Sequence, residues 1–209
     1  MLKLFYSPGA CSLASHIVLE ELEIPYELIK VDLKTHKYGD EDFYKVNPLG
    51  TVPTLVLDHS QVLTQNSAIL CYLGELDPRH QLMPATGSDE RIRCIEWIGF
   101  INSDLHKGFS PLFKPGAFVD SVAAQEEVKK KAMLRLQDLF KLTDAKLKGK
   151  KFAMGQTFTI VDSYLFVMFQ WGTNLKLDTS VYSNYVALIQ QVLERPATQK
   201  ALKGEGLIK

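Results

Sequence analysis

Residues 4–14 have the sequence Leu-Phe-Tyr-Ser-Pro-Gly-Ala-Cys-Ser-Leu-Ala, in which an apolar run meets a Pro-Gly turn and then a cysteine. The chain up to residue 6 is short, apolar and aromatic, which favours a buried strand, and Pro8 interrupts it because proline has no backbone N–H to donate. Apolar residues then recur at helical spacing over residues 12–24, which predicts a helix. The segment therefore predicts a strand, a turn and a helix, with Cys11 at the helix start.

The start of a helix is a chemically special place for a cysteine. The first backbone N–H groups of a helix have no partner within it, and the aligned peptide dipoles put partial positive charge there. A thiolate at Cys11, or the anionic sulfur of a bound molecule, is therefore favoured. A single cysteine is more often a small buried apolar residue, but the strand, the turn and the helix start together favour a sulfur site.

Composition and charge narrow the class of partner. The 209 residues include 24 Lys and Arg and 24 Asp and Glu, so the formal net charge is zero and no global field attracts nucleic acid or an anionic membrane. The three cysteines form no C-x-x-C pair, which argues against a disulfide framework or a zinc site and predicts a reducing compartment. No apolar run approaches the roughly 18 residues of a membrane span. We expect a cytoplasmic protein with a small-molecule or protein partner, and no nucleic acid, membrane or metal.

The first part of the chain predicts alternating strands and helices. Strands are predicted at residues 1–6, 26–32, 55–57 and 62–64, with helices at 12–24 and 68–73. Asp40-Glu41-Asp42 is expected to open a short helical piece. Pro53 stands just before an apolar run and therefore takes a strand's first position, where a cis peptide bond is one of the two expected forms. The resulting order is βαβ followed by ββα.

The rest of the chain predicts helices only. They cover residues 88–107, 121–148, 164–169, 182–194 and 197–203, after a segment with the composition of a linker. Ser88 is the expected N-cap of the first, and Thr159 to Asp162 has the form of a capping box before an apolar core helix. The inner side of the long helix is predicted to carry Val128, Ala132, Leu136, Leu139, Leu142 and Leu147.

Four motifs carry a resemblance to a known family. They are Tyr6-Ser7-Pro8-Gly9-Ala10-Cys11-Ser12-Leu13-Ala14, Val46-Asn47-Pro48-Leu49-Gly50-Thr51-Val52-Pro53, Leu105-His106-Lys107-Gly108-Phe109 and Phe158-Thr159-Ile160-Val161-Asp162. With them the chain resembles the cytosolic glutathione transferases, and the first and third motifs resemble the bacterial beta class. The resemblance implies an α/β thioredoxin-like domain (βαβ-ββα) over residues 1–78, a linker over 79–87 and an all-helical domain over 88–209 that carries the second-substrate side of the cleft.

The resemblance also implies an activity. It predicts a detoxification enzyme that conjugates the glutathione thiolate to small hydrophobic electrophiles and works as a cytoplasmic homodimer, with glutathione as co-substrate and no metal. In the beta class the cysteine that matches Cys11 forms a mixed disulfide with glutathione, so thiol–disulfide exchange is a further expected activity. The alternative is a non-catalytic carrier of glutathione or hydrophobic ligands, or an interaction module, because fold alone does not determine function.

Site residues follow from the same resemblance. Catalytic roles are expected for Cys11 and His106. Glutathione binding is expected for Ser12, His36, Lys37, Val52, Pro53, Gln65, Asn66, Ser103 and Lys107. In this arrangement Val52, next to a cis Pro53, pairs its backbone with the cysteinyl unit of glutathione as an added strand.

Three positions depart from the family's usual residues. Either His36 or Lys37 is expected to meet the glycyl carboxylate, and His36 replaces the usual lysine with a weaker cation. Gln65 and Asn66 are expected to hold the γ-glutamyl end at a helix N-terminus, and Gln65 replaces the usual glutamate with a neutral amide. Gly99 replaces an asparagine of close beta-class relatives, which removes a polar group at the dimer interface.

Three further residues rank below these candidates. Tyr6 lies where other classes of the family keep a catalytic tyrosine, but a tyrosine at a strand end usually packs. Cys71 and Cys94 have apolar neighbours on predicted helices, so we expect both in the core.

Overall fold

The structure, a computed structural model, describes all 209 residues. Its strands are β1 (Leu2–Tyr6), β2 (Tyr26–Lys30), β3 (Lys37–Tyr38), β4 (Glu41–Asp42), β5 (Thr54–Val56) and β6 (Val62–Thr64). Four of them form one sheet in the order β2-β1-β5-β6, in which β1 and β2 are parallel and the other neighbours are antiparallel. The strands β3 and β4 form a separate two-stranded ribbon.

The helices confirm the predicted fold class. They are α1 (Ser12–Leu22), α2 (Asn66–Glu75), α3 (Asp89–Phe100), α4 (Ser110–Phe113), α5 (Val122–Leu147), α6 (Ile160–Asn174), α7 (Ser183–Leu193) and α8 (Pro196–Gly204). A π-helical turn, Ile101–His106, continues α3. The βαβ-ββα order is therefore followed by helices alone, and none of them is long and apolar enough to cross a membrane.

The first strand lies inside the sheet and leads directly to the start of α1. Leu4 pairs with Leu28 of β2 on one side and with Leu55 of β5 on the other, and it is fully buried. Burial explains why the strand is apolar except at Lys3, which is exposed and pairs with Glu27. Cys11 immediately precedes α1 and has helical dihedrals, so the predicted cysteine at the helix start is confirmed.

The helix α6 is the centre of the helical half and is buried on all sides from Ile160 to Phe169. Its predicted capping box is confirmed, because Thr159 Oγ1 accepts from the Val161 N–H at 3.3 Å and Asp162 Oδ2 accepts from the Thr159 N–H at 2.8 Å. Burial raises the pKa of Asp162 to about 6, and these hydrogen bonds oppose that rise.

The segment 79–87 joins two parts of one core. Leu82 and Met83 are buried within it, and the Leu82 carbonyl accepts from the Ile160 N–H at 2.9 Å. A single apolar cluster of 43 buried residues includes side chains from both halves of the chain. The boundaries 1–78, 79–87 and 88–209 stay a prediction about chain organisation, since the halves share this core.

Three details differ from the sequence predictions. Glu41–Asp42 forms β4 instead of opening a helix, and the helical piece is a 3-10 turn that Asp42 caps through the Tyr44 N–H at 2.9 Å. The helix predicted over residues 88–107 is α-helical only to Phe100. Leu142, predicted on the inner side of α5, is 49% exposed, because the buried face of that helix is rotated toward Phe140.

Candidate active site

A cavity of about 340 Å³ lies where the two halves of the chain meet. It is lined by Cys11, Leu49, Thr51, Val52, Pro53, Gln65, Asn66, Asn102, His106, Lys107 and Ser110. A larger cavity, about 790 Å³, lies between the end of α1, the linker and Arg195, and none of the predicted site residues lines it. The smaller cavity is therefore the candidate site.

Cys11 is part of this cavity, but its thiol is largely shielded, with 8% of the residue exposed. Its Sγ donates to the Val52 carbonyl at 3.2 Å. Burial raises the pKa of the Cys11 thiol to about 12, and the backbone N–H groups of Cys11 and Ser12 oppose this only in part. Desolvation therefore outweighs the helix dipole and disfavours a Cys11 thiolate in this structure. The other alternative, the anionic sulfur of a bound molecule at this helix start, stays a prediction.

Ser12 and Tyr6 do not line the cavity. Ser12 is fully buried, and its Oγ accepts from the Ser7 N–H and donates to the Ser7 carbonyl, each at 3.3 Å. This placement does not support the prediction that Ser12 binds glutathione, because its hydroxyl is engaged in the turn before α1. Tyr6 is buried, and burial raises its pKa, with Glu205 a smaller cause.

Val52 lines the cavity with a backbone N–H that is unused and a carbonyl whose single partner is a thiol. The Val52–Pro53 bond is cis. The Val52 N–H makes no hydrogen bond within the chain, and the Val52 carbonyl accepts only from Cys11 Sγ. Asn47 holds the loop in place, because its Nδ2 donates to the Thr51 carbonyl at 2.8 Å and to Thr54 Oγ1 at 3.0 Å. An extended ligand could therefore pair with Val52 as an added strand.

The start of α2 places an unused donor at the cavity. Gln65, which precedes α2, has φ 69°, a strained value for a residue other than glycine. Asn66 is buried, its Oδ1 accepts from Ser15 Oγ at 2.8 Å, and its Nδ2 makes no hydrogen bond. Buried donors without a partner are uncommon. This one lies beside the free N–H groups of a helix N-terminus, so the place suits a ligand group with anionic oxygens.

The π-helical turn brings Asn102 and His106 to one hydroxyl. His106 Nδ1 is 2.6 Å from Tyr164 Oη, and the Tyr164 hydroxyl donates to Asn102 Oδ1 at 3.3 Å. In that arrangement Nδ1 carries the ring proton and donates to Tyr164, which leaves Nε2 as an acceptor. Burial lowers the pKa of His106 to about 4, with Lys107 a smaller cause, so the ring is neutral at neutral pH.

Tyr164 and Asn102 are not among the residues that the sequence indicated. Tyr164 belongs to the apolar run of α6, and the pattern therefore assigned it to the core, where it is fully buried. The available signal was its hydroxyl, because a buried tyrosine needs a hydrogen-bond partner. Burial and the nearby Cys11 raise the pKa of Tyr164, and the nearby Asn66 amide opposes the rise, so this hydroxyl lies among the polar groups of the site.

An aromatic surface continues from His106. The Trp171 ring meets the His106 ring edge to face at 5.0 Å between centroids, and it meets Phe113 in the same way at 5.0 Å. Phe113 also stacks on Phe109 at 5.9 Å. Phe113 is 48% exposed, so part of this surface is open to an apolar ligand.

Three predicted glutathione-binding residues lie outside the cavity. His36 has a left-handed φ of 53° and its ring stacks on Tyr44 at 4.6 Å, while Lys37 is exposed in β3. Ser103 is exposed and donates to the Gly99 carbonyl at 2.9 Å. These three side chains are not among those that line the cavity: His36 and Lys37 lie at the start of the β3–β4 ribbon, and Ser103 lies on the exposed side of the π-helical turn.

Three remaining positions are placed as follows. Cys94 is buried as predicted, and Cys71 is partly buried and packs against the same core. Gly99 is exposed, and a Cβ at this position would meet no atom within 4 Å. No group of three or more His, Cys, Asp or Glu side chains is arranged to hold a metal ion.

Both halves of the chain match profiles of the same protein family. Residues 9–76 match the family profile described as glutathione S-transferase, N-terminal domain, and residues 100–196 match the profile described as glutathione S-transferase, C-terminal domain. The chain is 41% identical over 207 residues to the glutathione S-transferase GstA of Escherichia coli O157:H7, which covers 99% of this chain and 100% of that relative.

Two solved structures extend the similarity to the fold. A sphingomonad glutathione S-transferase complexed with glutathione is 40% identical, with a TM-score of 0.90 and coverage of 99% of this chain and 100% of the other. The bacterial beta class glutathione S-transferase of Sphingomonas chungbukensis is 41% identical, with a TM-score of 0.91 and the same coverage.

Proposed function

This chain belongs to the glutathione S-transferase family, and we propose that the cavity beside Cys11 is where it binds glutathione and directs the thiol onto an electrophile. The enzyme uses glutathione as co-substrate, and the carrier alternative is set aside because full-length relatives at about 40% identity are glutathione S-transferases. The observation that carries the proposal is that Cys11, Val52 and His106, which are far apart in the sequence, line one cavity at a helix N-terminus.

Glutathione is proposed to lie across the cavity in an extended form. Its cysteinyl unit pairs with the Val52 N–H and carbonyl, and the carbonyl then shares or gives up its contact with Cys11 Sγ. Its γ-glutamyl carboxylate meets Asn66 Nδ2 and the N-terminus of α2, with the Gln65 amide beside it. Lys107 is exposed and is the only lysine or arginine that lines the cavity, so it is proposed to bind the glycyl carboxylate.

The sulfur of glutathione is proposed to lie at the N-terminus of α1. The partial positive charge there favours its thiolate. Cys11 is a neutral thiol, so it is suited to donate S–H to that thiolate and not to compete with it as a second anion. His106 is neutral as well, and its unprotonated Nε2 is proposed to accept a hydrogen bond from the S–H group of glutathione before the thiolate forms, which orients the thiol without adding charge.

Thiol–disulfide exchange is the second proposed activity. A Cys11 thiolate attacks one sulfur of oxidised glutathione, which forms a Cys11–glutathione disulfide and releases one glutathione thiolate. The high pKa of the buried thiol makes this step slow until Cys11 leaves the Val52 carbonyl. The half-buried Cys71 is the competing thiol.

The second substrate is proposed to be a hydrophobic electrophile with an aromatic ring. The half-exposed ring of Phe113 and the edge of Trp171 offer it stacking and edge contacts next to His106. Such a substrate would approach the glutathione sulfur from the helical side of the cavity.

A homodimer through α3 is proposed. Ile92, Ile95, Gly99 and Ser103 follow one another at spacings of three and four, so they share a helix face. Ile92 is 62% exposed and Ile95 is 48% exposed, and apolar surface of this kind favours a partner subunit. In a dimer Ser103 would lie near that interface.

The proposed location is the cytoplasm. Cys11, Cys71 and Cys94 are all free thiols. Free cysteines are typical of reducing compartments.

Substitution of Asn66 tests the proposed glutathione site. Asn66→Asp keeps the shape but adds an anion facing the γ-glutamyl carboxylate, so the Kd for glutathione measured by calorimetry should rise about tenfold or more. Asn174→Ala is the control, because Asn174 is exposed and makes no side-chain hydrogen bond. Unchanged glutathione affinity in Asn66→Asp, in a protein that still conjugates an aromatic halide, would place glutathione elsewhere.

A further inference from the structure

Gly9 lies two residues before Cys11, and both its backbone N–H and its backbone carbonyl are hydrogen-bonded to side chains of the helical half of the chain. The Gly9 N–H donates to Glu205 Oε2 at 2.8 Å, and Trp171 Nε1–H donates to the Gly9 carbonyl at 2.8 Å. Both partners lie more than 160 residues away in the sequence. Gly9 has φ 68°, which other residues rarely adopt, so the turn needs glycine at this point.

The Glu205 side chain is buried, and polar contacts on both of its oxygens hold it in place. Its side chain has no exposed area, and Oε1 lies 3.0 Å from His16 Nδ1. Removing a carboxylate from water is unfavourable unless hydrogen bonds and charges replace the water. Here the Gly9 N–H and the His16 ring replace it, so the carboxylate is oriented toward the turn.

Further polar groups hold His16, the partner of Glu205, in place. His16 Nε2 is 3.8 Å from Glu20 Oε1, and Glu20 also accepts from the Tyr26 hydroxyl and pairs with Lys200 Nζ at 2.6 Å. These groups come from α1, β2 and α8. The network therefore fixes the position of Glu205 relative to the first helix and sheet.

We propose that Glu205 is a positioning residue for Cys11, acting through the Gly9 peptide. The turn is short and stiff, because the Ala10 N–H donates to the Ser7 carbonyl at 3.0 Å and Cys11 follows at once. Displacement of the Gly9 peptide must therefore move Cys11 and its 3.2 Å contact with the Val52 carbonyl. Only the conjugation readout of the test below rests on the proposed function of the cavity.

The contact between Glu205 and the Gly9 N–H is not needed simply to hold the end of the chain against α1. Arg195 already joins the start of α8 to α1 by two hydrogen bonds to Glu21, at 2.5 and 2.7 Å. The Glu21 pair touches neither Gly9 nor the cavity. It is therefore a matched control for the loss of a carboxylate that joins the end of the chain to α1.

The test compares Glu205→Ala with Glu21→Ala. Iodoacetamide labelling, read by mass spectrometry of each cysteine peptide, should accelerate at Cys11 by about tenfold in Glu205→Ala, which matches the loss of a hydrogen bond to a charged group. The rate at the fully buried Cys94 should not change, and Glu21→Ala should leave Cys11 within twofold of the parent protein. The kcat/KM for glutathione with an aromatic halide should fall by about tenfold in Glu205→Ala alone.

Two further variants keep the test decisive. Glu205→Gln retains an oxygen that can accept from the Gly9 N–H, so Cys11 should be labelled slowly, as in the parent protein. In Glu205→Asp the carboxylate is one methylene too short to reach this N–H, so Cys11 should be labelled quickly. The aspartate variant gives this readout even where the alanine variant fails to fold. Unchanged Cys11 labelling in both the alanine and aspartate variants, equal acceleration in Glu21→Ala, or acceleration of Cys94 as well would overturn the proposal. Faster Cys11 labelling with unchanged conjugation would uphold the positioning role and contradict the proposed function of the cavity.

Discussion

At the scale of single residues, burial determines the protonation of the site. Cys11 and His106 are both shifted toward their neutral forms, the first with its pKa raised to about 12 and the second with its pKa lowered to about 4. A neutral pair leaves the partial charge of the α1 N-terminus free for the sulfur of a bound ligand. Tyr164 then becomes important, because its hydroxyl orients the His106 ring.

The role of Tyr164 can be separated from its contribution to stability. Tyr164→Phe leaves His106 Nδ1 and Asn102 Oδ1 without their partner, so stability should fall by about 1–3 kcal/mol and conjugation kcat by about tenfold. Tyr185→Phe is the matched control, since that buried hydroxyl donates to the Leu165 carbonyl at 2.8 Å away from the cavity. Urea unfolding and initial rates measure both effects. Equal losses of kcat in the two variants would argue against a positioning role.

His106 also predicts a pH dependence of stability. Its folded pKa, about 4, lies below the ordinary value of 6.5, so the unfolded chain binds the proton more tightly. The stabilisation from the neutral ring is complete above pH 6.5 and is lost as pH falls toward 4. Relative to His106→Asn, the parent protein should therefore lose about 3 kcal/mol between pH 7 and pH 4.

This difference is measured by urea unfolding of both proteins across that range. Comparing the two proteins cancels the opposite contribution of Asp162, whose raised pKa favours the folded state at low pH. A constant difference in unfolding free energy from pH 7 to pH 4 would show that His106 titrates normally.

At the scale of elements, the loop before β5 is organised by one side chain. Asn47 is buried, its Nδ2 donates to the Thr51 carbonyl and Thr54 Oγ1, and its Oδ1 accepts from the Leu49 N–H at 3.0 Å. These bonds replace the ladder that a regular strand would have. They hold the unpaired Val52 backbone toward the cavity.

Asn47→Ala should therefore weaken glutathione binding more than it slows the chemical step. We expect the KM for glutathione to rise by about tenfold with a smaller change in kcat, and stability to fall by about 1–3 kcal/mol. Asn184→Ala is the control, since Asn184 Nδ2 donates to Asp144 Oδ2 at 2.9 Å in the helical half. Steady-state kinetics that show the same KM in both variants would contradict the role assigned to the loop.

At the scale of the whole molecule, the two halves share a main core of 43 buried residues, and a smaller cluster of four lies in the first half. The cavity forms where the starts of α1 and α2, the loop before β5 and the π-helical turn meet. The face of α3 with Ile92 and Ile95 remains outside it. That exposed face is the basis for expecting a second subunit.

Oligomeric state tests this expectation directly. Light scattering of the parent protein at micromolar concentration should give a dimer mass, and Ile92→Lys with Ile95→Lys should give a monomer, because two charges cannot be buried in an apolar contact. Val122→Lys, at an exposed position of α5, should remain dimeric. A monomeric parent protein would exclude the dimer at that concentration.

The sequence alone determined most of the strands and helices, because local periodicity and turn residues encode them, whereas the β3–β4 ribbon and the π-helical turn were not predicted. The apolar run to residue 6, the Pro-Gly turn, Pro53 and the Thr159–Asp162 capping box each act within a few residues, and each was found where predicted. Residues of the first two family motifs, Cys11 and the loop that contains Val52, line the cavity.

The tertiary structure alone decided burial and partnership between distant residues. It shields the Cys11 thiol, which disfavours one of the two expected forms of the sulfur site, engages the Ser12 hydroxyl in the turn, and adds Tyr164 to the site. It also joined Glu205 to Gly9 across 196 positions. Desolvation and hydrogen bonds of this kind depend on which surfaces pack together, and no local pattern of residues records that.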